Sequence, residues 1–362
     1  MNRRVRGAVG AASASVLTLV LAGCGAEEHT GVISNDIVVG LLLPDRQAAR
    51  YEKFDRPVIE DKVDRLTIGE GKVVYANANQ DAALQALQIN NMIKDEVDVL
   101  ILDAVDSKAV ASSVEKAKDA GIPVVAFDRL AEGPIDAYTS FDNEEVGHVQ
   151  GKALLKALGD KAGNSRIVMM NGALTDPNAA LFKKGAHAEL DGKVTIGKEY
   201  DTKEWKPENA EANMKAAIKE LGAGGIAGVY SANDGMAGGI ITALKAAGAT
   251  SLPPVTGQDA ELAAVQRIVA GEQHMSVYKP YAPEAAAAAE MAVALAKGES
   301  LHTVAQTHVD SPTTKDIPSV LIPVIPLTQA NIEETVIRDG IYTAQEICVP
   351  KYRAACAELA IG

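Results

Sequence analysis

The residues best suited to chemistry stand directly after short apolar runs. Asp45-Arg46, Asn77, Asn79, Asp103, Asp128-Arg129, Asp142-Asn143, Asn171, Asn233-Asp234, Gln258-Asp259 and Lys279 each close a β-rich stretch. Carboxylates accept hydrogen bonds, guanidinium and ammonium groups donate them and amides do both, so the set can ligate a polar molecule. For Asp106, Ser107 and Asp234 helix capping is the expected role. Reaction motifs are sparse. Ser113-Val114-Glu115-Lys116 matches the Ser-x-x-Lys of penicillin-interacting enzymes, but it falls inside an expected helix and no Ser-Asp-Asn or Lys-Thr-Gly follows. His29, His148, His187, His274, His302 and His308 form no His-Glu-x-x-His and no i, i+4 pair. No Gly-x-Gly-x-x-Gly follows the first strand, and Gly222-Ala223-Gly224-Gly225 precedes one, the wrong order for cradling phosphate. These absences point to a binding protein without catalytic residues, metal or cofactor.

Positioning such groups needs a scaffold, and 362 residues suffice for about two globular units. Hydrophobic residues at 47% and charged residues at 23% exclude both a disordered chain and a multi-span membrane protein. A net charge of −13, without a basic patch beyond the first six residues, argues against nucleic acid and for a neutral or cationic small ligand. Arg3, Arg4 and Arg6 precede an apolar run from Ala8 to Ala22, shorter than the roughly 20 residues of a bilayer span, which reads as a secretory signal. The run ends in Leu21-Ala22-Gly23-Cys24, which looks like a bacterial lipobox. On that reading residues 1–23 are the signal peptide, Cys24 carries the lipid and 24–34 form a tether. Cys348 and Cys356 remain, an even pair in an exported chain, so a disulfide is expected, with two free thiols as the alternative. On one continuous helix they would lie about 12 Å apart, so Pro350 must mark a turn.

Short β-rich runs alternate with helical stretches, which predicts an α/β fold with parallel sheets. Strands are expected at 37–43, 72–76, 97–102, 122–127, 137–141, 167–170, 194–200, 226–230, 254–257 and 274–278. Helices include 107–120, with Val110, Val114 and Ala117 on one face, and 261–270. In open sheets of this class the ligand sits outside the carboxyl ends of the strands, where the polar groups stand.

Phe127-Asp128-Arg129, Ser140-Phe141-Asp142-Asn143, Ser231-Ala232-Asn233-Asp234-Gly235, Gly257-Gln258-Asp259-Ala260 and Val277-Tyr278-Lys279-Pro280 stand in the order found in periplasmic pentose- and hexose-binding proteins. From Ile37 to Tyr342 the chain resembles these substrate-binding components of ABC importers, above all the xylose-binding proteins and their glucose- and galactose-binding relatives. The resemblance implies the type I periplasmic-binding-protein fold: two Rossmann-like lobes with parallel sheets joined by a three-crossover hinge. It places one lobe at 35–141 plus 259–303, the other at 142–258 plus 304–345, and leaves 346–362 as a tail holding the cysteine pair. It implies ligand contacts at Arg50, Tyr51, Asp128, Arg129, Asn178, Trp205, Asn233, Asp259 and Lys279. Two positions depart from the family pattern: Tyr51 where xylose-binding proteins tend to carry Trp, and Asp176-Pro177-Asn178 where Asp-Asn-Asn is usual.

These residue types suit a pyranose, whose hydroxyls donate and accept and whose ring faces carry C–H groups. Asp128 and Asp259 would accept, Arg129 and Lys279 donate, Asn178 and Asn233 do both, and Trp205 and Tyr51 cover the ring faces. Competing roles are an ion pair at a strand end for Asp128-Arg129, a cap for Asp259, a solvated charge for Lys279 and lobe packing for Trp205. The expectation is a monomeric, lipid-anchored, extracytoplasmic protein that captures a monosaccharide and delivers it to an ABC permease. The alternative is a sugar sensor for a chemotaxis or signalling system. If Cys24 carries the anchor, Cys24→Ser should move the protein from the membrane fraction to the soluble fraction; retention in the membrane would contradict it.

Overall fold

Strand β1 (Val38–Leu43) shows why this chain builds a covered sheet. Val39, Leu41 and Leu43 enter one apolar cluster while Leu42 enters another, so both faces of the strand are buried. Alternating side chains that are apolar on both faces require layers on both sides. The computed structural model describes residues 35–46, 48 and 50–362. The expected signal peptide, the tether and Cys24 lie outside them.

After β1 come β2 (Lys72–Asn77), β3 (Val99–Leu102), β4 (Val124–Phe127) and β5 (Ala137–Phe141). They join β10 (Thr307–Val309) and β11 (Ile317–Ile322) in a sheet ordered β10-β11-β5-β4-β3-β1-β2. All neighbours pair in parallel except β10 with β11. The helices Arg56–Leu66 and Tyr281–Ala296 lie against one face, and Ala82–Lys94 and Ala111–Asp119 against the other. A second parallel sheet is ordered β7 (Thr195–Asp201), β6 (Arg166–Asn171), β8 (Gly228–Ser231). Beside it β9 (Ser276–Tyr278) pairs antiparallel with β12 (Ile325–Leu327).

The chain passes between these two assemblies three times, and the pairing moves two of the expected boundaries. It leaves the first sheet after Phe141. It does not return at 259, because Asp259 N–H donates to Val277 O and Val277 N–H to Gly257 O, which binds 262–278 to the second assembly. The return comes between β9 and the helix Tyr281–Ala296. Nor does the chain leave at 304: β11 pairs in parallel with β5, so the third passage falls between Ile322 and Ile325.

Local elements also shift. The expected strand at 254–257 reduces to one bridge, Val229 with Val255. The helix expected from 107 starts at Ala111, because Asp106 Oδ1 accepts from the N–H groups of Lys108 and Ala109 and holds them in a turn. Cys348 and Cys356 form the disulfide, with Cα atoms 5.9 Å apart. The helix Ala344–Ile347 ends before Pro350 and Arg353–Glu358 begins after it, so the pair does not share a helix.

The helices Asn143–Leu158 and Pro177–Leu190 touch backbone to backbone through glycines. A Cβ on Gly147 would lie 2.0 Å from Phe182 O, and one on Gly185 2.0 Å from Glu144 O. Gly185→Ala should therefore force the helices apart and destabilise the protein by about 1 to 3 kcal/mol or more, read as a lowered melting temperature. An unchanged melting temperature would contradict this contact.

Candidate functional site

Asp128 directly follows β4 with φ +57°, a left-handed conformation that costs a non-glycine residue about 1 kcal/mol or more. Its neighbours hold it there. Its N–H donates to Thr139 O, and its carbonyl accepts from Tyr138 Oη at 3.0 Å, Ser140 Oγ at 2.7 Å and Asn178 Nδ2 at 3.0 Å. The turn directs the carboxylate to Arg50 Nη1, 2.6 Å from Oδ2, and to Asn178 Nδ2, 3.0 Å from Oδ1.

Arg50 is buried and its guanidinium spends most of its donors on protein. Nε donates to Asp55 Oδ2 at 2.7 Å, Nη1 to Asp128, and Nη2 to Asp55 Oδ1 at 3.3 Å and Glu284 Oε2 at 2.5 Å. Among the described residues, four of its five N–H groups find acceptors. Its carbon lies 4.5 Å from the centre of the Tyr281 ring. Burial pushes the carboxyls of Asp55 and Glu284 up, with Arg50 opposing. Burial also acts to raise Asp128, but Arg50, Lys279 and Arg129 outweigh it and hold this carboxyl below its ordinary value.

Arg129, next along, spends fewer donors: Nη1 donates to Ala104 O at 2.9 Å, and Nε lies 2.9 Å from Asp176 Oδ2. Asp128 and Arg129 are thus each paired elsewhere rather than with one another. Asp176 caps the helix Pro177–Leu190, where a proline in the first turn removes no intrahelical bond. That is how Asp176-Pro177-Asn178 is accommodated: Asn178 stays on the first turn, both amide hydrogens on Asp128, its Oδ1 buried without a donor among the described residues.

Trp205, with φ +57°, packs edge-on to Phe182 at 6.3 Å between centroids, and Nε1 donates to Asp176 Oδ2 at 3.1 Å. Only a glycine fits behind it, since a Cβ on Gly172 would stand 2.0 Å from its ring. Asn233 rather than Asp234 caps the helix Asp234–Ala246, using Oδ1 for Met236 N–H and leaving Nδ2 uncommitted among the described residues. Asp259, with φ +94°, does not cap the helix Leu262–Val269, whose N-cap is Glu261. Lys279 is not solvated. It is 3% exposed, 3.3 Å from Asp259 Oδ1 and 5.0 Å from the Phe141 ring centre.

All nine expected residues, Arg50, Tyr51, Asp128, Arg129, Asn178, Trp205, Asn233, Asp259 and Lys279, line one cleft at the carboxyl ends of the strands of both sheets. Its volume is about 150 Å³, the scale of a cavity that admits one six-membered ring. The lining adds Asp45, Gln80, Asp176, Phe182, Gln258 and Glu261, which sequence reasoning did not assign to the site. Asp45 and Gln258 were visible as polar strand ends. Gln80 reaches the cleft through tertiary placement, its Nε2 donating to Asp45 Oδ2 at 2.7 Å. Among the described residues no group of three His, Cys, Asp or Glu could hold a metal ion, and no helix is long and apolar enough to cross a membrane.

Two layered sheets linked by three passages, with a polar cleft at their strand ends, define a periplasmic binding protein of type I. The periplasmic binding protein domain matches residues 39–300, and the chain belongs to that family. It is 36% identical over 335 residues to the D-xylose-binding periplasmic protein of Haemophilus influenzae, covering 91% of this chain and 97% of that one. It is 30% identical to the multiple sugar-binding periplasmic receptor of Rhizobium radiobacter, over 85% of this chain and 92% of that one. An ABC transporter solute-binding protein from Clostridium phytofermentans with bound β-D-glucose superposes with a TM-score of 0.79 at 28% identity, over 86% of this chain and 99% of that chain.

Glu261 carries a pH signature. Burial, then Asp234 and Asp259, push its carboxyl up to about 8, against roughly 4.3 in an unfolded chain. A raised folded-state value means the unfolded chain loses this proton first. The stability it contributes is full below about 4 and is lost as pH rises through about 8. Glu261→Gln should melt like wild type near pH 4 and about 2 °C or more above it at pH 9. Parallel melting curves across that range would contradict this.

Proposed function

We propose that the cleft encloses one neutral aldose of the xylose or glucose type, and that the sugar-loaded form delivers it to an ABC importer. The observation that carries this is the division of labour inside a cleft the size of one ring. Trp205 offers a flat apolar face, while Arg129, Asn178 Oδ1 and Asn233 Nδ2 keep hydrogen-bonding capacity that no group among the described residues uses up. A pyranose matches that pairing of surfaces. Even with Glu261 protonated, five other acids against three cations on the wall disfavour sugar acids and sugar phosphates. The xylose-binding relatives and the glucose-bound neighbour support the same class.

In this reading Arg50 positions Asp128 more than it touches sugar, and Asp128, Arg129, Asn178, Asn233, Asp259 and Lys279 supply the polar contacts, with Trp205 and Tyr51 at the ring faces. Cys24 would tether the protein outside the cell. Calorimetric titration with xylose, glucose, galactose and arabinose tests the site. Wild type should take one sugar per chain. Trp205→Ala should weaken every sugar by a similar factor, because stacking ignores hydroxyl stereochemistry. Asp259→Asn should lose about 10- to 150-fold and reorder the epimers. Wild-type affinity in both variants would place the site elsewhere.

A further inference from the structure

We infer that Arg129 is shared between two carboxylates, Asp103 and Asp176, and that Asp103, although it does not line the cleft, sets how readily the two assemblies separate. The inference rests on the sugar-binding reading only for its kinetic readout.

Asp103 follows β3 in the first sheet, its N–H donating to Leu42 O. It is fully buried, and among the described residues neither carboxylate oxygen receives a hydrogen bond. Its nearest cation is Arg129, with Nε 3.6 Å from Oδ1. Asp176, 2.9 Å from the same Nε, belongs to the other assembly, at the start of the helix Pro177–Leu190. Arg129 is pinned to the first sheet by its bond to Ala104 O, one residue beyond Asp103. Its Nε therefore stands between a carboxylate that moves with it and one that does not.

When the assemblies part, Asp176 leaves with its helix and takes Trp205 along through the indole bond. Arg129 stays behind. Arg129 lines the cleft and keeps its charge there, which a carboxylate of its own sheet can still pair. The other carboxylate acting on it, Asp45, already accepts from Ala48 N–H and Gln80 Nε2. Asp128 is held by Arg50. Asp103 has unused lone pairs, and a shift of a fraction of an ångström completes the bond. Burial pushes its carboxyl well above the ordinary value with Arg129 opposing, as for an acid whose pairing is incomplete. Asp103 thus receives Arg129 in the open form and competes with Asp176 for it in the closed form. It is a positioning residue, acting through Arg129.

The two carboxylates should consequently have opposite effects. The chain's single tryptophan, Trp205, lies in the cleft and reports release by stopped-flow fluorescence. With D-xylose or D-glucose, Asp103→Asn should slow release at least about fivefold and Asp176→Asn should speed it, with the order of preference among sugars unchanged in Asp103→Asn. Asp103→Ser provides the same sign should the amide fold poorly. Small-angle scattering in sugar-free buffer gives a second reading: Asp176→Asn should have a larger radius of gyration than wild type, and Asp103→Asn an equal or smaller one. If wild type takes no sugar while the scattering order holds, the sugar-binding reading fails and the switch stands. If wild type takes sugar and Asp103→Asn releases it at the wild-type rate or faster, the switch fails alone. A larger radius in Asp103→Asn than in wild type also overturns it.

Discussion

A single buried guanidinium, that of Arg50, ties together by charge three parts of the chain that the first sheet's apolar layer already brings near one another. Asp55 lies five residues away, Asp128 seventy-eight and Glu284 two hundred and thirty-four. They come from the first helical turn, the end of β4 and the long helix returning from the second assembly. A charge removed from water must find opposite charge and good geometry or the fold loses several kcal/mol. Arg50 finds three carboxylates and an aromatic face on Tyr281. Burial lets the carboxyls of Asp55 and Glu284 rise, while the cations hold that of Asp128 down, so of the three acids the negative charge concentrates on Asp128, which borders the cleft. The site's electrostatics follow from this arrangement.

From Asp128 the structure extends across the cleft. Asn178 places both amide hydrogens on Asp128 from the far side, and Asp176, two residues before it, meets Arg129 and the Trp205 indole. One helix start therefore carries contacts to both strand-end charges and to the aromatic wall. The passages between assemblies at 141–142, 278–281 and 322–325 leave this helix with the second sheet and the β4 turn with the first. The bonds of this helix start to Asp128 and Arg129 therefore cross from one assembly to the other, while the indole bond stays within the second.

Much of this was legible in the residues, for a physical reason. Polar groups directly after apolar strands mark the carboxyl edge of a parallel sheet, so Asp128, Asn233, Asp259 and Lys279 could be placed before their partners were known. Their partnerships were not legible. Arg50 read as a ligand contact, and only the folded chain shows its donors taken up by carboxylates distant in sequence. Asp176 and Phe182 have local explanations, a cap and a helix core residue, which conceal their second role. The lobe boundaries failed where the pattern is weakest: β9, β10 and β12 are three residues each, and β11 contains Pro318. Such short pairings are set by the neighbours they meet, not by periodicity.

On the proposed function, Arg50 holds Asp128 so that a sugar can be gripped between the two assemblies. Diffraction from crystals grown with D-xylose or D-glucose measures this most directly. The density should show one pyranose in the cleft, a ring face on Trp205, a hydroxyl within hydrogen-bond distance of Asp128, and the Arg50–Asp128 and Arg50–Glu284 bonds intact. A sugar bound away from Asp128, or one that displaces it from Arg50, would overturn this role for Arg50.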